Sequence, residues 1–160
     1  IKVKDYGLFD RVCKELETRG NRVERVHLVN IDRAKVPEIY WECDLMLLTS
    51  LSEGSPTVVK EAIAAKLPFV SVDVGDVREW TRLAEFGVVV PDRDPLTIAD
   101  AAAALMARTK NRPSLDNGGC IDAMDASNIA DRIMNIYEEL AGERMRSILP
   151  PVRVSRHANA

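Results

Sequence analysis

The sequence of 160 residues has little net charge, no long apolar run and no paired cysteines. Lysine and arginine number 22 against 25 aspartates and glutamates, a formal net charge of −3. A nucleic-acid binder needs a basic stripe, and none is present. No apolar stretch approaches the roughly 18 residues that a membrane-spanning helix requires. Cys13, Cys43 and Cys120 are odd in number, widely spaced and form no Cys-x-x-Cys pattern. They read as buried free thiols in a reducing compartment rather than as disulfides or metal ligands. No signal peptide, internal repeat or low-complexity tract is visible. A cytoplasmic protein is expected.

What is present is an ordinary globular composition, with 46% hydrophobic residues, and strand-like segments that alternate with helix-like ones. Such alternation predicts an α/β fold with a parallel sheet flanked by helices. Leu8, Phe9, Val12 and Leu16 recur at helical spacing, and Gly20-Asn21 ends that helix. Val23 to Ile31 reads as a strand through Val26, Leu28 and Val29. Val36 to Cys43 is a short helix, and Leu45 to Thr49 a strand. Thr57 to Lys66 is a helix and Pro68 to Val72 a strand. Asp73 to Asp76 is a loop before a helix through Arg78, Trp80 and Leu83. Phe86 to Val90 is the last strand, and Asp94-Pro95 opens an alanine-rich helix ending near Arg108.

Residues 110 to 120 carry the strongest loop signal. A last helix follows, with Ile129, Ile133, Ile136 and Leu140 on one stripe. Residues 1–145 are taken as one domain, and 146–160, which include Pro150-Pro151, as a disordered tail. Four strands are few for a doubly wound sheet. Together with the start at Ile1, they predict a fragment whose first strand lies upstream.

In open parallel sheets ligands bind beyond the carboxyl ends of the strands. Two expected turns lie there, Ser50 to Pro56 and Asp73 to Asp76. In the first, Ser55 is expected to cap the following helix, with Pro56 at its first position. The amides of Thr57, Val58 and Val59 then lack partners inside the helix and, with its dipole, suit a diphosphate. Gly54 lets a ligand approach the backbone closely. Glu53 and Glu61 flank this turn. A carboxylate accepts only, so each suits sugar hydroxyls, which donate. On these residues alone the alternative also stands that both acids are simply solvated.

The run from Val36 to Ser50, followed by Glu53-Gly54-Ser55-Pro56, resembles family 4 glycosyltransferases, the "group 1" class of retaining enzymes with the two-domain B-type (GT-B) fold. The resemblance continues through Val59 to Ala64, Leu67 to Ser71 and Asp73 to Val77. It extends more weakly from Lys4 to Leu140. It implies a Rossmann-like domain, the C-terminal, donor-binding half of such an enzyme, with Glu53 and Glu61 as the E-x7-E signature. Glu53 would be the catalytic-site carboxylate that contacts the transferred sugar, with no nucleophilic role assigned. Glu61 would hold the ribose, and Gly54, Ser55, Pro56, Thr57 and Val58 would hold the sugar and diphosphate.

The family also uses an Arg and a Lys against the leaving diphosphate. Lys4 falls where that Lys is expected, while the Arg position is absent, and the competing reading of Lys4 is a solvated lysine near a chain end. The implied reaction transfers a sugar from a nucleoside-diphosphate sugar with retention, with no metal and no cofactor beyond that donor. The acceptor-binding N-terminal domain would be a separate partner, leaving this piece inactive by itself. Lipid-linked and polysaccharide acceptors are common in the family, so the whole protein is open to peripheral membrane contact.

Four further features have competing readings. Asp92-Arg93-Asp94 resembles a metal-binding Asp-x-Asp, but Asp94 before Pro95 reads better as a helix cap. His27 reads as a core or edge histidine rather than a base. The Asp73 to Asp76 loop either borders the ligand or is a turn with Asp76 capping. Lys60 belongs to the resembling motif, and its head is either part of the site or solvated. Two other functions stay open: a nucleotide-sugar 2-epimerase, which shares the architecture, and a non-catalytic binding module. In the latter, the Asp100 to Ala107 helix and the last helix would pack against a partner.

Overall fold

A computed structural model describes residues 3–110, 115–116 and 119–141. The chain divides into two compact units, residues 1–120 and 121–160. In the first, helices α1 (Tyr6–Thr18), α2 (Val36–Glu42), α3 (Thr57–Ala64), α4 (Val77–Leu83) and α5 (Pro95–Arg108) surround strands β1 (Met46–Leu48), β2 (Phe69–Val72) and β3 (Gly87–Val90). The three strands are parallel in the order β1-β2-β3. The expected parallel α/β architecture is therefore present.

β2 is buried along its whole length, as the central strand of a sheet covered on both faces must be. That is why Phe69-Val70-Ser71-Val72 reads as a run rather than an alternation. Phe69 pairs with Gly87 across the β2–β3 ladder. A β-carbon on Gly87 would fall 2.3 Å from the Phe69 ring, so the aromatic side chain occupies the space that glycine leaves.

α1 turns Leu8, Val12, Cys13 and Leu16 inward and packs on α5, which also covers β2 and β3. α5 buries Ile98, Ala99, Ala102 and Leu105. Ala99 and Ala102 therefore belong to this unit's own core rather than to a partner interface, whereas Ala104 and Ala107 of the same helix are exposed. Cys13 and Cys120 are buried, Cys43 is half-buried, and all three are free thiols. Burial pushes the Cys13 thiol up, away from the reactive thiolate.

Val23 to Ile31 forms no strand. Its apolar side chains stay in solvent, with Val26 44%, Leu28 39% and Val29 53% exposed. The segment has the side chains of a strand but no ladder partner among the described residues, and unpaired backbone amides then turn to water. His27 is correspondingly neither core nor strand edge. It is exposed and rests against the rings of Tyr6 and Phe9, at 5.2 and 5.1 Å between centroids.

The helix expected to reach Lys66 stops at Ala64 because Lys66 takes a left-handed φ of 53°. Leu67 then bonds back to the Ala62 carbonyl at 2.8 Å, closing the helix end. In the other unit, α7 (Ala126–Ala141) starts at Asp125, whose carboxylate accepts from the amides of Ser127 and Asn128. Ile129, Ile133 and Ile136 of the expected stripe are exposed. Short α6 (Cys120–Met124) precedes α7. The expected tail, 146–160, lies outside the described residues. No helix among the described residues is long and apolar enough to cross a membrane.

Candidate functional site

The turn from Thr49 to Pro56 leaves the carboxyl end of β1 and enters α3. Both of its first residues are buried polar groups. Thr49 Oγ1 donates to the Asp5 carbonyl at 3.0 Å, and the Leu51 amide donates to the Val3 carbonyl at 2.8 Å. The segment before α1 and the segment after β1 therefore run side by side. Asp5 caps α1 by accepting from the Leu8 amide at 2.9 Å.

This juxtaposition brings together two residues proposed from sequence. Lys4 Nζ donates to Glu53 Oε1 at 2.7 Å. Burial is the largest influence and favours the neutral Glu53 carboxyl, but the Lys4 bond, the Ser50 hydroxyl and the Lys4 charge together hold the group below the usual carboxylate range. The Ser50 hydroxyl acts from nearby, although its oxygen is buried and short of hydrogen-bond geometry with any group among the described residues. Lys4 also lines a hollow of about 260 Å³ with Asp5, Tyr6, Gly7 and Leu51.

The second turn closes on the first. The Asp76 amide donates to the Gly54 carbonyl at 3.1 Å. Ser55 does not cap α3; its hydroxyl donates instead to Asp76 Oδ2 at 2.6 Å. Pro56 stands at the cap position in an extended conformation, so Thr57 rather than Pro56 is the first helical residue. Ser55 thus lies one residue before the cap position, where its hydroxyl donates to Asp76 and accepts from Lys60. Asp76 in turn precedes α4 without capping it through its side chain. Lys60 is not simply solvated, since Nζ donates to Ser55 Oγ at 2.7 Å and lies 5.3 Å from the Trp80 ring centroid.

Of the three amides expected to be free, Val59 is taken, bonding to the Pro56 carbonyl at 3.1 Å. Those of Thr57 and Val58 have no acceptor among the described residues. A β-carbon on Gly54 would meet nothing within 4 Å. No neighbour in the fold therefore requires glycine there.

Glu61 lies in the second turn of α3. Its Oε2 accepts from the buried Tyr40 hydroxyl at 2.9 Å, which leaves the other oxygen to accept elsewhere. Burial first, then the Glu61 bond, raises the Tyr40 phenol, so it stays a donor. Tyr40 and Glu61 line a groove of about 450 Å³ with Arg33, which precedes α2, and with Val36 and Pro37 from its start. Glu61 thus opens on this groove, while Glu53 is tied to a lysine lining a different hollow.

Asp94 caps α5, accepting from the Thr97 amide at 3.3 Å, and Asp92 accepts from the Asp94 amide at 3.0 Å. The cap reading of this triplet is therefore the one observed. No group of three metal-ligating side chains occurs among the described residues.

Sequence reasoning missed Tyr40 and Arg93. Tyr40 sits on a helix of ordinary pattern, and no spacing signals a partner on α3. Arg93 drew notice only through its acidic neighbours. Its guanidinium reaches the carbonyls of Thr49 and Ser50 and the Asp5 carboxylate.

Residues 7–108 match the family model described as glycosyl transferases group 1. Over 91 residues the chain is 35% identical to a phosphatidyl-myo-inositol mannosyltransferase of Mycobacterium leprae (strain TN). That stretch covers 56% of this chain and 24% of the relative, so the match spans about a quarter of the relative's length. With the family model spanning well over half of the sequence, and with a parallel α/β sheet carrying the matched motifs, the chain belongs to the group 1 glycosyltransferases.

Proposed function

We propose that the chain is the donor-binding half, in the C-terminal position, of an enzyme that moves a sugar from a nucleoside-diphosphate sugar to an acceptor with retention of anomeric configuration. The observation that carries this reading is the start of α3. Two peptide N–H groups without a partner among the described residues point out of a helix N-terminus between Glu53 and Glu61. A diphosphate is an anion suited to those amides and to the helix dipole. Glu61 is positioned by Tyr40 to accept from a ribose hydroxyl, and Glu53 to accept from the transferred sugar.

Chemistry in this reading is electrostatic. As the bond to the sugar breaks, negative charge grows on the departing diphosphate, and fixed N–H dipoles already aimed there stabilise it. Lys4, bonded to Glu53, adds a positive charge beside the same turn. No metal is assigned a role. The acceptor is held by a partner domain at the N-terminal side, so this piece alone binds without transferring. In this reading the location is cytoplasmic, and peripheral membrane contact is open to the whole protein.

Family membership favours transfer over 2-epimerisation or binding alone. The relative's name makes a mannose donor and a phosphatidyl-inositol acceptor the first pair to test. The whole protein is incubated with labelled nucleotide sugars, with and without acceptor, and the product's anomeric carbon is read by NMR. Acceptor-dependent product with the donor's configuration supports the proposal. A sugar inverted at its second carbon without acceptor indicates the epimerase, an inverted anomer excludes retention, and binding without turnover indicates the module.

A further inference from the structure

Arg93 is the residue on which three chain segments converge. Nη1 donates to the Ser50 carbonyl at 2.8 Å, while Nη2 donates to the Thr49 carbonyl at 2.9 Å and to Asp5 Oδ2 at 2.8 Å. Thr49 and Ser50 begin the turn that leads to Glu53. Asp5 follows Lys4 directly. The arginine itself leaves a turn that Asp92 and Asp94 fix through their own bonds to the backbone.

An exposed ion pair with Asp5 alone would contribute little. Here the arginine side chain is only 35% exposed, and two of the guanidinium's acceptors are main-chain carbonyls. A planar fork serves several directed acceptors at once, which a lysine ammonium on a flexible stem does less well. The Thr49 hydroxyl and the Leu51 amide join the same two segments beside it. They leave the register of Lys4 against Glu53 dependent on how firmly that seam is closed.

We propose that Arg93 is a positioning residue of the donor site, clamping the end of β1 to the segment before α1 so that Lys4 and Glu53 meet. It touches neither the sugar nor the diphosphate. Its significance for transfer rests on the donor-site reading above, whereas the clamp itself is tested without any ligand.

The experiment follows the Glu53 carboxyl by carbon NMR titration in the ligand-free chain, for the parent, Lys4→Met, Arg93→Lys and Arg93→Ala. Lys4→Met defines the unpaired carboxyl. Arg93→Lys keeps the charge and removes the fork, so it isolates geometry, and it serves where Arg93→Ala does not fold. The expected result is a Glu53 midpoint in Arg93→Lys shifted from the parent's value towards that of Lys4→Met. An unchanged midpoint in folded Arg93→Lys overturns the clamp.

A second arm titrates UDP- and GDP-sugars into the parent and Arg93→Lys. Affinity weaker by about 10-fold, with a smaller loss for UDP and GDP themselves, supports positioning of the sugar-contacting pair. Equal affinities overturn that role. A parent that binds no nucleotide sugar defeats the donor reading, and the carboxyl titration then decides the clamp by itself.

Discussion

Gly75 packs its α-carbon directly against the Gly54 carbonyl, so close that a β-carbon there would lie 2.1 Å from that oxygen. With a φ of 55°, Gly75 also occupies the left-handed region that side chains disfavour. The second turn beyond the sheet therefore braces the first, and the Asp76 amide bond to Gly54 completes the brace.

The two glycines separate stability from binding. Gly75→Ala meets both strain and overlap, and should cost about 1 to 3 kcal/mol, read as a lowered denaturant midpoint. Gly54→Ala meets no neighbour in the fold. It should keep the midpoint close to the parent's while weakening nucleoside-diphosphate binding, because in the proposed donor site the added methyl would lie where the ligand approaches. Chemical denaturation and calorimetry on the same two variants check the pair.

Tyr40→Phe removes one hydroxyl and almost no volume. The Glu61 carboxylate then loses its bond at 2.9 Å and its fixed orientation. The expected cost is about 1 to 2 kcal/mol in stability, with a several-fold weaker affinity for nucleoside diphosphates. A variant that binds as tightly as the parent would show that Tyr40 does not orient Glu61 for a ligand.

Acid sensitivity should report Asp5. The Leu8 amide first, then Arg93, hold its carboxyl below the ordinary range. A depressed folded-state value means that the stabilisation is complete above the unfolded value, near pH 3.8, and fades as pH falls through the folded one. Asp5→Asn should therefore be less stable than the parent at neutral pH, with the gap narrowing below about pH 4. Denaturation midpoints across the acid range measure this.

Much of the fold was legible because it depends on local patterns. The apolar runs of β1, β2 and β3, the Asp94-Pro95 cap and the helical stripe of α1 carry their periods in adjacent residues. The segment from Val23 to Ile31 failed for the complementary reason, since a strand requires a ladder partner that its own residues do not specify. The site divides in the same way. Glu53, Gly54 and Glu61 stand out through spacing within one turn and helix. Ser55 was misassigned because its acceptor, Asp76, lies on another turn. Arg93 and Tyr40 act across long stretches of chain, where a single sequence offers no spacing to read.

The most direct test of the donor site is calorimetric titration of UDP, GDP and their sugars into the parent, Glu53→Ala and Glu61→Ala. Glu61→Ala should weaken nucleoside diphosphates and nucleotide sugars alike. Glu53→Ala should leave the nucleoside diphosphates nearly unchanged and abolish the preference among sugars. Identical isotherms from all three proteins, or none that register binding, would contradict the assignment of the β1–α3 turn as the donor site.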